Sequence, residues 1–200
     1  QKGITEETAR TLLYNAGYTI YCTMDAKAQA AVDAVYNNAD NLPYISTSGQ
    51  HLQSAITIVD PSTGYVVAQA GGIGEKEGSL TLNRATRCRP CGSAIKPVSI
   101  YSAAVELGQI NLGTVIDDYP VTYDQDLQRV WPANVYSGYW GLCTIQLALQ
   151  QSINTCAVRT LKNLGLNNSY SWMIDNMGFT TLEESDKNLS ALGLGGLTKG

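Results

Sequence analysis

Histidine is nearly absent from this chain: His51 is the only one in 200 residues. A Ser-His-Asp or Cys-His pair therefore has one candidate base, and a multi-histidine zinc site is excluded. If the chain performs acyl transfer or hydrolysis, lysine is the next residue to examine as the base. Positive charge is scarce too: 13 Lys and Arg against 17 Asp and Glu give a net charge of −4. That balance offers no electrostatic footprint for nucleic acid. No apolar run approaches the roughly 18 residues that span a bilayer. The chain opens on Gln1 without a signal peptide, so it reads as an excised or mature segment whose flanks could hold an anchor.

Cysteine is sparse and odd in number. Cys22, Cys88, Cys91, Cys143 and Cys156 are too scattered for a disulfide scaffold. Cys88-Arg-Pro-Cys91 has redox-motif spacing. It could also be half of a zinc site, with Cys143 and Cys156 completing four thiolates, although ordinary thiols are the plainer reading. What the chain does have is 44% hydrophobic residues with 15% charged, enough to bury a core.

The pattern along the chain predicts a helix over 6–16, stopped by Gly17, then a strand over 18–23. Asp25 caps a second helix running to about Ala39, with Ala28, Ala31, Val32, Val35 and Ala39 on one face. Residues 41–50 form a loop. Ser54–Val59 and Tyr65–Ala70 form a hairpin around Asp60-Pro-Ser-Thr-Gly64. Residues 71–78 read as a flexible connection. A helix over 93–107 ends at Gly108, and 109–141 reads as a long irregular stretch. Helices follow over 142–151, 154–164 and 168–177, and residues 179–200 start a last segment rich in glycine. Strands first and helices afterwards argue for an α+β fold.

Glycine-rich stretches invite a nucleotide reading and fail it. Gly72-x-Gly74 lacks the third glycine of the dinucleotide fingerprint, because Glu77 stands there. Lys199-Gly200 has the wrong order for a phosphate-cradling loop.

The sharpest local signal is Cys91-Gly-Ser-Ala-Ile-Lys-Pro97. Ser93 and Lys96 lie three apart at the opening of a helix, on one face and about a turn apart. A serine hydroxyl needs a proton acceptor before it becomes a useful nucleophile. A helix N-terminus and burial both oppose the ammonium form, so both push Lys96 toward the neutral amine that can accept it. First-turn N–H groups can polarise an oxyanion, and Pro97 is tolerated because those N–H groups lack intrahelical partners anyway. The competing reading of Ser-x-x-Lys alone is a capping serine beside a solvated lysine. A second cluster, Ser152-Ile-Asn154, stands at the junction of two helices. There Ser152 could relay a proton and Asn154 could hold a substrate amide, or either could simply cap a helix.

These residues resemble a known family, the β-lactamases and penicillin-binding proteins, whose motif set begins with Ser-x-x-Lys. The chain looks most like the transpeptidase domain of class A penicillin-binding proteins. The resemblance runs through Tyr18–Asp25, Ile58–Gly64 with Gly71-Gly72, and Leu82-Asn-Arg-Ala-Thr86. It continues through Gly92–Pro97, Trp131-Pro-Ala-Asn134, Thr144–Leu149 leading to Ser152-Ile-Asn154, and Leu192-Gly-Leu-Gly-Gly196. It implies a transpeptidase-like α+β fold, an antiparallel sheet with a helical subdomain. Residues 1–50 would be a lead-in segment and 51–200 the N-terminal part of the domain.

It implies a serine D,D-transpeptidase that cross-links peptidoglycan stem peptides and is acylated by β-lactams. Ser93 would be the nucleophile, Lys96 its base, Ser152 the proton shuttle and Asn154 the binder of substrate backbone. No metal or organic cofactor and no nucleic acid is implied. The expected location is the outer face of the cytoplasmic membrane, with any membrane contact through an anchor outside this chain. The family's third motif, Lys-Thr-Gly, is not found; Thr198-Lys-Gly200 is a decoy in reversed order. The fold is therefore expected to be incomplete here, the chain alone inactive, and the rest of the domain its partner. Arg87-Cys-Arg-Pro-Cys91 also departs from the family's usual Arg-Gln-Pro. A D,D-carboxypeptidase, a β-lactamase, a module that binds peptidoglycan or senses β-lactams without turnover, and a Cys-based metal module remain alternatives.

Overall fold

A computed structural model describes residues 3–124 and 129–199. The chain divides into two compact units, Gln1–Arg87 and Cys88–Gly200.

In the first unit, helix α1 spans Glu6–Asn15 and begins where the Thr5 hydroxyl accepts from Thr8 N–H. Helix α2 spans Ala26–Tyr36, and the Asp25 carboxylate accepts from Ala28 N–H at 2.7 Å, as a capping aspartate should. The helix stops three residues earlier than its apolar periodicity suggests. Asn38 turns its side chain back to Asp40 N–H, and a 3₁₀ turn, Ala39–Asn41, replaces the last helical turn. Strands β1 (Ile56–Val59) and β2 (Val66–Ala70) form the expected antiparallel hairpin, with Ile56 opposite Ala70. Its turn is held by the Asp60 carboxylate, which accepts from Ser62 N–H and from the Ser62 and Thr63 hydroxyls. Those bonds keep the Asp60 pKa below the ordinary carboxylate value. Val32 of α2 packs on Ala68 and Ala70 to form a small core. Gln29 of α2 adds two bonds to the Gln69 backbone, at 3.0 and 3.1 Å.

The strand expected over 18–23 does not form. Only Thr23 Oγ1 and Asp25 N–H reach β2, at Val66 O and Val67 O, while Ile20 and Tyr21 remain 73% and 92% exposed. Alternating β-formers make a strand only where a neighbouring backbone completes the ladder, and none of the described residues does so here.

In the second unit, residues 92–106 are helical throughout but change pitch twice. A 3₁₀ turn (Gly92–Ile95) passes through a wide π turn (Pro97–Tyr101) into α3 (Ser102–Glu106). Pro97 has no N–H to give to an α-helical ladder, which accounts for an interruption at this point. The stretch read as irregular, 109–141, contains three short strands and the first residue of a fourth, which runs on into the segment expected to be helical. β3 (Val115–Asp118) pairs antiparallel with β6 (Gly141–Thr144), and β4 (Thr122–Asp124) pairs with β5 (Arg129–Trp131). Runs of three or four residues carrying Asp and Gly have no legible two-residue period. Residues 125–128 of that stretch, and Gly200 of the reversed motif, lie outside the described residues. Because 141–144 is paired, α4 starts later than expected, at Ile145, capped by Thr144, and runs to Gln150.

Helices α5 (Asn154–Leu164), α6 (Leu166–Asp175) and α7 (Leu189–Leu194) complete the unit. Ile95, Ile100, Ala103, Leu161, Met173 and Leu192 lie in its main core. The architecture is α+β as expected, but the described strands form three separate two-stranded ladders rather than one sheet. No described helix is long and apolar enough to cross a membrane.

Candidate active site

The second unit brings three of the four candidate residues into direct contact. Lys96 is 1% exposed, and its Nζ donates to Ser152 O at 2.7 Å, Ser152 Oγ at 3.0 Å and Asn154 Oδ1 at 2.6 Å. These three acceptors match the three protons of an ammonium group. Burial nevertheless favours the neutral amine and pulls the Lys96 pKa down to about 8, a fall only partly opposed by Cys156. The solvated-lysine reading of Ser-x-x-Lys is therefore excluded.

Ser152 and Asn154 reach one lysine because the residue between them is an anchor. Ile153 is fully buried beside Ala148 and Cys156, and it is the cap residue of α5. Ser152 adopts φ of +53°, a left-handed conformation that lets the chain turn from α4 into α5. The Asn154 amide is fixed in orientation: Nδ2 donates to Ala133 O at 2.7 Å while Oδ1 faces Lys96. Neither Ser152 nor Asn154 is the side-chain cap of α5, so the capping alternative does not hold.

Ser93 stands one tight turn before Lys96. Lys96 N–H donates to Ser93 O, closing the 3₁₀ turn, and residues three apart in such a turn share one edge. The Ser93 side chain is exposed, and no hydrogen bond joins its hydroxyl to another described residue. Its turn rests on the end of α7, where Gly92 N–H donates to Gly195 O at 3.3 Å. A Cβ on Gly195 would stand 1.9 Å from Gly92 O, and Gly195 has φ of +80°. Glycine is required there, which gives the Leu-Gly-Leu-Gly-Gly run a physical role in seating the Ser93 turn.

A supporting network of five residues escaped the sequence reading. The Asp118 carboxylate, fully buried, accepts from Asn134 Nδ2 and Trp140 N–H, each at 2.7 Å, and from the Tyr136 and Thr155 hydroxyls, each at 2.5 Å. Burial alone would raise its pKa, but these donors outweigh it and hold the carboxyl below its ordinary range. Asn134 in turn accepts from Asn154 N–H at 3.0 Å and Thr155 N–H at 3.3 Å. Asp118 and Asn134 thus fix the first turn of α5, and with it Asn154. Asn134 lay in the Trp-Pro-Ala-Asn stretch, the one signal that could have flagged it.

A family model described as the penicillin binding protein transpeptidase domain matches residues 54–193, more than half of the chain. The chain belongs to the penicillin-binding protein transpeptidase family. It is 36% identical over 173 residues to a penicillin-binding protein 1A of Streptococcus pneumoniae, covering 85% of this chain and 23% of that protein. It is 30% identical over 206 residues to a penicillin-binding protein 1A of Clostridium botulinum, covering 98% and 24%. The chain thus spans about a quarter of the length of these relatives. Among solved structures, the penicillin-binding protein PonA1 of Mycobacterium tuberculosis superposes with a TM-score of 0.69 at 25% identity, covering 96% of this chain and 49% of that one. Penicillin-binding protein 1A of Haemophilus influenzae gives 0.60 at 27% identity, covering 74% and 22%.

The cysteines of this chain do not converge on one site. Cys88 and Cys91 are exposed beside the Ser93 turn, whereas Cys143 and Cys156 are buried. No group of three or more His, Cys, Asp or Glu among the described residues could hold a metal ion. A hollow of about 520 Å³ in the first unit, lined by residues that include Gln53, Gln69, Asn83 and Arg84, contains none of the four candidate residues.

Proposed function

We propose that this chain carries the acyl-transfer centre of a peptidoglycan D,D-transpeptidase, with Ser93 as nucleophile and Lys96 as its base. The observation that carries the reading is the buried Lys96 amine, bound to Ser152 and Asn154 and titrating near 8. About one lysine in ten is then neutral at pH 7. On losing its third proton, Lys96 keeps its bonds to Ser152 O and Asn154 Oδ1, and its lone pair becomes free to accept.

Ser93 Oγ attacks the carbonyl of the penultimate D-Ala of a stem peptide while its proton passes to Lys96 Nζ. First-turn N–H groups beside Ser93 stabilise the oxyanion. The tetrahedral adduct expels terminal D-Ala, whose amine receives a proton relayed from Lys96 through the Ser152 hydroxyl. A neighbouring stem's amine then attacks the Ser93 ester and gives up its proton by the same route to Lys96; the Ser93 Oγ–acyl bond breaks as the cross-linking amide forms, and Lys96 returns the proton to Ser93 Oγ. Asn154 would align substrate backbone through the second N–H of its carboxamide, the first being given to Ala133 O. These steps need no cofactor. A β-lactam fits the same chemistry, because its strained amide acylates Ser93 and leaves nothing to diffuse away.

The substrate partners on this reading are stem peptides and β-lactams, at the outer face of the bacterial cytoplasmic membrane.

The test is labelling of the full-length protein with a fluorescent penicillin, followed by intact mass and peptide mapping. One adduct on Ser93, lost in Ser93→Ala, is expected. An adduct elsewhere, or none, would sink the reading. Release of D-Ala with formation of a cross-linked dimer distinguishes transpeptidation from acylation without turnover.

A further inference from the structure

Beneath the Ser152–Asn154 junction lies a pair of thiols that the acyl-transfer chemistry does not use. Cys143, on β6, and Cys156, in the first turn of α5, have their Sγ atoms 3.6 Å apart. Both are buried in one cluster with Ala148 and Ile153, and Cys143 at 6% exposure is the more accessible. The other three cysteines are exposed and stand apart from this cluster. We propose that Cys143 and Cys156 form a disulfide that fastens β6 to α5 and encloses both Lys96 partners, Ser152 and Asn154, in the closed loop.

The geometry favours this over chance packing in two ways. A disulfide of about 2.05 Å requires the sulfurs to approach by roughly 1.5 Å, within reach of side-chain adjustment once they already touch. The two cysteines also come from different elements, so the bond would tie a strand to a helix rather than staple a single turn. The loop it closes is short and contains α4, a six-residue helix. Cross-linking such a loop removes freedom from the unfolded chain while leaving the native positions nearly unchanged.

The reaction balances as thiol–disulfide exchange with a disulfide oxidant, for which glutathione disulfide serves as the probe. The Cys143 thiolate attacks one glutathione sulfur and displaces the other half as a thiolate, leaving a mixed disulfide. The Cys156 thiolate attacks the Cys143 sulfur and displaces the second half. The two protein thiols lose two electrons and two protons, and two reduced glutathione molecules carry them away. Burial raises the pKa of both thiols, so exchange is slow in the folded chain. It proceeds readily while the unit is still folding.

The full chain is unfolded, refolded in a glutathione redox buffer, denatured with N-ethylmaleimide and digested at Leu147 and Leu149, between the two cysteines. The expected product is a disulfide-linked pair of peptides carrying Cys143 and Cys156. A rise in Tm of about 5–10 °C over the dithiothreitol-reduced protein is expected, absent from Cys143→Ser. Alkylation of both cysteines after refolding, or pairing of either with Cys22, Cys88 or Cys91, overturns the proposal, as does a link that leaves Tm unchanged. Peptide mapping and Tm are read without substrate, so they stand or fall separately from the transpeptidase reading.

Discussion

The two units are built to different densities. The first buries Val32, Ala68 and Ala70 as its only buried hydrophobic cluster among the described residues, and α1 buries nothing. The second buries a cluster of 11 hydrophobic side chains, with a further four around Ile153. The difference is chemical as well as mechanical. A lysine can be held near neutrality only where water is excluded around it, and only the second unit packs tightly enough to do that. The first unit relies instead on side-chain bonds to backbone, such as Gln29 to Gln69 and Asp60 to its turn.

The contrast breaks first at the lysine. Lys96→Ala should slow acylation by a labelled β-lactam by roughly 10²–10⁴-fold. In the unaltered protein, acylation should climb about tenfold per pH unit below about 8 and level off above it if, as proposed, the neutral amine is the base. Stability follows the same ionisation. The folded pKa lies below the unfolded value of 10.5, so the unfolded chain binds more protons between about 8 and 10.5. Stability should therefore rise with pH across that window relative to Lys96→Met, as urea midpoints would report. A difference running the other way contradicts a dry, neutral lysine.

Packing gives smaller and graded effects. Leu161→Ala, in the dense core, should cost about 2–5 kcal/mol. Gly195→Ala should cost roughly 1–3 kcal/mol and also depress acylation, because relief of its clash must move Gly92 and hence Ser93. Val32→Ala in the first unit should cost roughly 1–2 kcal/mol. Leu12→Ala on α1 should fall within about 0.5 kcal/mol. Urea unfolding with hydrogen exchange read separately in the two units checks the order. Equal sensitivity at Leu161 and Leu12 would dissolve the comparison.

Legibility followed the range of the interactions. Asp25, the Asp60 turn and the helix over 154–164 were plain because each is settled by neighbours a few residues away. The strand over 18–23 was misread for the opposite reason: its pattern is local, but a ladder is not. β3 through β6 were invisible because three- and four-residue strands exist only by virtue of their partners. Asp118 carried no motif at all, and its role depends on four donors spread over residues 134–155.

The sequence by itself determined the chemistry on offer: one histidine, a serine three residues before a lysine, and a serine and asparagine flanking one isoleucine. Those spacings are covalent and survive any fold. Only the tertiary structure decided that Lys96 is buried, that Ser152 and Asn154 are its partners across more than 50 residues, and that Cys143 meets Cys156. Each of those facts depends on which surfaces exclude water together, and that is a property of packing, which no stretch of sequence contains alone.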